Sequence, residues 1–209
     1  MKIQLPDCIT SQIFSKLGLK DLVKTSTLSK LWRHEWQLRT DLNFDLCNMF
    51  DKVQELPKSF PLLHGFQSEF ATRLDQFMLY YQGAMVNSIR VKCPLSYEHS
   101  DVIERLISKG IAKGAKRIEL LLSYETNDDD TRCFVLELKP CKFSFYLLSG
   151  TDSLMYLHLQ NCRLVAPMDF SGLKNLRTLV LQLVDDVNQI LLEGLFSNCI
   201  HLVDFTIDD

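Results

Sequence analysis

Leu154-Met155-Tyr156-Leu157-His158-Leu159-Gln160-Asn161-Cys162-Arg163-Leu164 is the stretch whose reading decides the fold. Leucines at 154, 157 and 159 alternate with Tyr156, His158 and Gln160, so one face of a strand is apolar and the other polar. The pattern returns. Leu176-x-x-Leu179-x-Leu181 begins 22 residues later, and Leu202-x-x-Phe205-x-Ile207 a further 26. Upstream, Val86-x-x-Ile89-x-Val91 and Ala115-x-x-Ile118-x-Leu120 are weaker copies set 29 residues apart. A strand recurring about every 20–29 residues predicts units that stack and bury one continuous core.

The copies fit the leucine-rich-repeat template, with Cys162 in its Asn/Cys position. In that template the leucines point into the stack and the residues between them line a concave, solvent-exposed sheet. The expected exposed face carries Arg90, Lys92, Arg117, Glu119, then Tyr156, His158 and Gln160. It continues through Arg177, Thr178, Val180 and Gln182 to Asp204 and Thr206. Tyr156, His158, Gln160, Arg177, Thr178 and Gln182 are the candidate partner-facing residues, because aromatic and arginine side chains anchor protein interfaces. The alternative is that they form only the soluble face of the array. Ile103, Leu106, Ile107 and Ile111 predict a helix between the first two copies, capped by Ser100 or Asp101. Phe134, Leu136 and Leu138 alternate like a further strand in an irregular repeat. The last copy stops at Asp209, one residue short of its Asn/Cys position, so the array reads as truncated at its C-terminus.

Working outward to the N-terminus, the pattern changes to helical. Ile9, Ile13, Phe14 and Leu17 form one apolar stripe, with Asp7 placed as N-cap after Pro6 and Gly18 as the stop. Lys20 to Leu28 predicts a second, shorter helix, and Ser29 caps a third carrying Leu31, Trp32, Trp36 and Leu38. Three helices in so short a segment bury little surface alone and lean on a partner or on the rest of the chain. Between the two regions, Leu46 to Leu63 reads as a connector, and Phe66, Phe70, Leu74, Phe77, Met78 and Tyr81 as one face of an amphipathic helix. The expected division is 1–45, 46–85 as linker and helical connector, and 86–209 as repeats.

Residues 5–45, through LPDCITSQIFSKL, KDLVKTSTLSKLWR and LNFD, resemble the F-box that heads plant F-box/leucine-rich-repeat proteins of the FBD type. The resemblance implies an α/β chain: a three-helix F-box followed by a leucine-rich-repeat solenoid of parallel strands with helices or irregular segments on the convex side. It implies a substrate-recognition adaptor of a Skp–cullin–F-box ubiquitin ligase. The F-box would dock the Skp-type linker, and through it the cullin, while the repeats hold an unknown protein target. Carried over by position, the linker-facing residues are Leu5, Pro6, Ile9, Ile13, Leu17, Leu28 and Trp32. The family commonly has Glu, Leu, Phe and Pro where this chain has Cys8, Thr10, Lys16 and Gly18, which predicts weakened docking. Two other readings stay open: a truncated, non-productive competitor for the linker, or a scaffold unrelated to ubiquitin.

Composition agrees with an adaptor. A net charge of −3 with pI about 6.0 offers no basic field for nucleic acid. No apolar run approaches the ~20 residues a membrane-spanning helix needs, and Met1-Lys2-Ile3-Gln4 leaves no room for a signal peptide. Seven cysteines without a C-x-x-C pair indicate neither a disulfide framework nor a zinc site, and point to the cytosol or nucleus. The histidines lack ligand spacing, and Asp128-Asp129-Asp130 reads as a solvated turn. The expectation is a non-enzyme that needs no cofactor and no metal.

Overall fold

The computed structural model describes residues 39–51, 60–123, 139–165 and 171–208, together with residues 9, 12, 13, 16–18, 20, 21 and 24. In chain order the elements begin with β1 (Asp41–Asp45), the short α1 (Leu46–Met49), α2 (Phe60–Tyr80) and β2 (Ser88–Lys92). They continue with a 3-10 turn (Tyr97–His99), α3 (Ser100–Ala112), β3 (Arg117–Leu121), β4 (Cys141–Ser144) and a second 3-10 turn (Phe145–Leu148). β5 (Tyr156–Gln160), β6 (Cys162–Val165), β7 (Thr178–Gln182), α4 (Gln189–Asn198) and β8 (Asp204–Asp208) complete them. The chain is therefore mixed α/β, built on a parallel sheet.

Six strands form that sheet in the order β1-β2-β3-β5-β7-β8, every neighbouring pair parallel. Parallel pairing demands a long crossover between strands, which α2, α3 and α4 supply for the first two and the last connections. The register aligns the apolar positions in two ladders. One is Leu42, Ile89, Ile118, Leu157, Leu179 and Phe205; the other is Phe44, Val91, Leu120, Leu159, Leu181 and Ile207. From β1 through β7 both ladders are essentially fully buried. Each such side chain contributes about 1.5–3 kcal/mol through its removal from water.

The sheet begins earlier than the sequence division allows. β1 lies within the segment assigned to the N-terminal module, yet Leu42 and Phe44 head the two ladders and Asn87 and Ser88 donate to Thr40 O. The reason for the difference is Arg39, which stands three residues before Leu42 where the template has its first leucine. α3 also starts differently. Tyr97–His99 already turns the chain, so Ser100 is the first helical residue and not a cap; its Oγ donates to Tyr97 O at 2.6 Å and accepts from Lys142 N at 2.9 Å. Ile103, Leu106 and Ile107 point inward as the periodicity requires. Gly110 permits close helix–sheet approach, since a Cβ there would lie 2.2 Å from Ile89 Cδ1.

β3 pairs directly with β5, so the sheet leaves no place between them for another strand. The strand expected at Phe134, Leu136 and Leu138 lies outside the described residues. The irregular region instead supplies β4, which pairs in parallel with β6 in a second, two-stranded sheet. The chain enters β6 straight from β5 by a sharp turn at Asn161, whose backbone is left-handed (φ 55°) and whose Nδ2 donates to Leu122 O at 3.1 Å. α2 packs on the N-terminal end of the core through rings: Phe77 meets Phe44 edge-on at 5.2 Å, and Phe66 lies 4.6 Å from Phe50. Tyr81 closes that end, its hydroxyl donating to Arg39 O at 2.5 Å.

Candidate functional site: a helical ridge and an open sheet face

Two surfaces stand out. The first lies in the N-terminal segment, where residues 9, 12, 13 and 16 are helical and Ile9 and Ile13, one turn apart, are 42% and 45% exposed. Two β-branched aliphatics directed to water at helical spacing make an apolar ridge on that segment. Leu17 behaves differently: it is half-buried and packs against the core of the sheet, so it serves attachment of the segment as much as any partner. Gly18 explains how the segment sits so close, because a Cβ there would come 2.8 Å from Asn48 Oδ1 of α1. Lys20 Nζ donates to Phe50 O and Lys24 Nζ to Asp51, each at 2.6 Å. Lys16 is exposed. Leu5, Pro6, Leu28 and Trp32, the other residues expected at the linker interface, lie outside the described residues, as do Cys8 and Thr10.

The second surface is the open face of the sheet, opposite the ladders. Tyr156, His158 and Gln160 on β5 and Thr178, Val180 and Gln182 on β7 occupy successive outward positions and are all part-exposed. Arg177, exposed, stands just ahead of β7, and its carbonyl accepts from Val203 and Asp204 at 2.8 and 2.9 Å. The side chains are tied to one another across strands. His158 Nε2 lies 2.8 Å from Gln182 Oε1, and Thr178 Oγ1 donates to Asp204 Oδ2 at 3.4 Å. Arg117 stacks its guanidinium 3.6 Å above the Tyr156 ring, and its Nε donates to Glu119 Oε1 at 2.6 Å. On β1, Asp41 accepts from Ser88 Oγ (2.6 Å) and Asn87 Nδ2 (3.0 Å), and the serine bond above all holds its carboxyl below the usual range. This is a patterned, cross-linked polar surface flanked by an aromatic ring.

Burial pushes Cys141 and Cys199 up to about 11 and Cys162 well above the ordinary thiol value. Such thiols are packing groups rather than nucleophiles. Among the described residues no three of His, Cys, Asp and Glu gather as a metal site, and no helix is long and apolar enough to cross a membrane.

Residues 3–39 match the F-box domain family. The chain is a relative of plant F-box/leucine-rich-repeat proteins. It is 26% identical over 202 residues to the F-box/FBD/LRR-repeat protein At1g78750 of Arabidopsis thaliana, covering 93% of this chain and 39% of that protein. Over 206 residues it is 26% identical to F-box/LRR-repeat protein 13 of the same plant, covering 98% and 40%. With the F-box/FBD/LRR-repeat protein At5g56420, also of Arabidopsis thaliana, the identity is 27% over 208 residues, covering 98% and 42%. The chain thus spans about two-fifths of the length of these relatives. No solved structure matches it. Against this F-box/leucine-rich-repeat background, the ridge at Ile9 and Ile13 falls inside the matched domain, and the open face lies on the sheet beyond it.

What sequence reasoning missed is the set Arg90, Glu119, Arg117. Alternation places all three on the exposed face, but their contact with one another depends on the register between β2 and β3. The available signal was Arg-x-Glu on one strand, with an arginine in register on the strand before it.

Proposed function

We propose that this chain is a substrate-recognition adaptor of a Skp–cullin–F-box ubiquitin ligase. Its N-terminal three-helix F-box docks the Skp-type linker through Leu5, Pro6, Ile9, Ile13, Leu28 and Trp32, with Leu17 sharing that role with core packing. The sheet is a leucine-rich-repeat array whose open, concave face holds a protein target, with Tyr156, His158, Gln160, Arg177, Thr178 and Gln182 as contacts. The chain itself carries out no reaction; chemistry belongs to the other subunits. Its contribution is proximity: a tethered target meets the conjugating enzyme at the effective concentration of an intramolecular encounter. The proposed compartment is cytosol, nucleus or both.

The observation that carries this reading is the exposed Ile9/Ile13 pair within a segment matching the F-box family. The test is assembly. Mixed with a Skp-type linker and a cullin, the chain should co-elute as a ternary complex, and the Leu5→Ala/Trp32→Ala variant should elute apart from them. A chain that folds, as judged by circular dichroism, yet never enters the complex overturns the proposal in favour of a ubiquitin-independent scaffold. A complex that forms but never supports ubiquitin transfer to bound protein supports the competitor reading instead.

A further inference from the structure

Glu119 holds two arginines at once. Its Oε1 accepts from Arg117 Nε at 2.6 Å, and its Oε2 faces Arg90 Nε at 3.6 Å. The carboxylate is only 14% exposed, whereas both arginines are about half in water. Both contacts use the Nε edge, so the two terminal nitrogens of each guanidinium have no further partner among the described residues. Arg117 is fixed a second time by its stacking on Tyr156. The register sets Arg90 opposite Glu119 and Arg117 opposite Tyr156. Arg90 and Arg117 are therefore diagonal neighbours across β2 and β3, bridged by the Glu119 carboxylate, with the Tyr156 ring against Arg117.

An arginine already locked in one rotamer loses little further freedom on binding, and its planar fork matches a carboxylate or phosphoryl group bidentately. Two guanidinium groups against one carboxylate leave a positive excess. The neighbouring acids of β1 are already engaged: Asp41 by Ser88 and Asn87, Asp45 by the Asn48 backbone and by the Asn43 and Asn48 amides.

We infer that Arg90, Glu119, Arg117 and Tyr156 form an anion-recognition site that reads an acidic or phosphorylated side chain on a target segment laid across β2, β3 and β5. Arg90 and Arg117 supply the terminal donors. Glu119 is the positioning residue, and Tyr156 offers the ring edge to the residue beside the anion. This deepens the proposed role of the open face and rests on it.

The test uses the full chain with ¹⁵N-labelled arginine side chains, titrated with peptides Ala-Xaa-Gly-Leu-Ala in which Xaa is glutamate, phosphoserine or glutamine. The Arg90 and Arg117 Nε–Hε signals should shift with the two acidic peptides and stay still with the glutamine peptide. Comparing the acidic pair identifies whether carboxylate or phosphate is the better ligand. Arg117→Lys keeps the charge but loses the stacked fork, and should weaken binding about tenfold; Glu119→Gln should release both arginines and weaken it also. Equal shifts with the glutamine peptide, no shifts with either acidic one, or Arg117→Lys binding like the wild type would each overturn the site. Linker binding measured on the same samples separates the two proposals. Linker binding without a peptide response removes the anion site alone, and a peptide response without linker binding removes the adaptor role alone.

Discussion

β7 and β8 carry the same sequence signal, Leu-x-Leu and Phe-x-Ile, and the register pairs them residue for residue. Their energetics differ. Leu179 and Leu181 are fully buried, with β5 on one side and β8 on the other. Phe205 is only half-buried and Ile207 is 47% exposed, for β8 has a strand neighbour on one side only among the described residues. Alternation decides which way a side chain points; a neighbour on each flank decides whether it leaves water.

Truncation is the hardest blow to that contrast. Leu179→Ala should cost about 2–5 kcal/mol, as for a fully buried leucine, and Ile207→Ala less than about 1 kcal/mol. Chemical denaturation of the two variants measures the difference, and equal losses would break the comparison. The same burial governs acid sensitivity. His99 is buried between β2 and α3, and burial holds its imidazole below the ordinary value of 6.5. The unfolded chain then binds the proton that the folded chain refuses, so stability is full above pH 6.5 and falls as the pH drops below it. His99→Gln should flatten that part of the stability–pH curve, and an unchanged slope would contradict the assignment.

Leu183 sharpens the comparison from the other side. It follows β7 as Asn161 follows β5, in the same left-handed backbone region (φ 49°), where leucine is strained. The Asn161 side chain eases the turn and donates to Leu122 O; the Leu183 side chain has nothing to donate, and only its backbone N–H bonds Asp208 O at 2.8 Å. Leu183→Asn should therefore stabilise the chain by about 1 kcal/mol, seen as a higher denaturation midpoint, and a lower midpoint would refute this. The gentlest test is chemical labelling: Cys47 is exposed, while Cys93, Cys141, Cys162 and Cys199 are buried. A thiol reagent should modify Cys47 at once and those four only on unfolding, and rapid modification of Cys199 would show that the β8 end opens in the native state.

Much of the sheet was legible in advance because its period is rigid. Leu157, Leu159, Leu179 and Leu181 could be assigned inward from alternation alone, and α3 from the spacing of Ile103, Leu106 and Ile107. β1 was hidden because Arg39 replaces the first template leucine, leaving only Leu42 and Phe44 as a signal too short to separate from the segment before it. The pairing of β4 with β6 was not legible, since a two-strand contact between segments about twenty residues apart leaves no mark on either one. At the open face the sequence named the residues but not their coupling. That Glu119 engages Arg117 on its own strand and Arg90 on the next depends on register, which only the folded sheet supplies.

The most direct test of the account is a calorimetric titration of the full chain with a Skp-type linker, beside the variant Ile9→Glu/Ile13→Glu. Both residues already face water, so the exchange should leave the melting temperature of the sheet in place. Saturable binding by the wild type is expected, with loss of at least about a hundredfold in affinity in the variant, because two carboxylates would have to be buried at the interface. Undiminished binding by the variant, or none by the folded wild type, would contradict it.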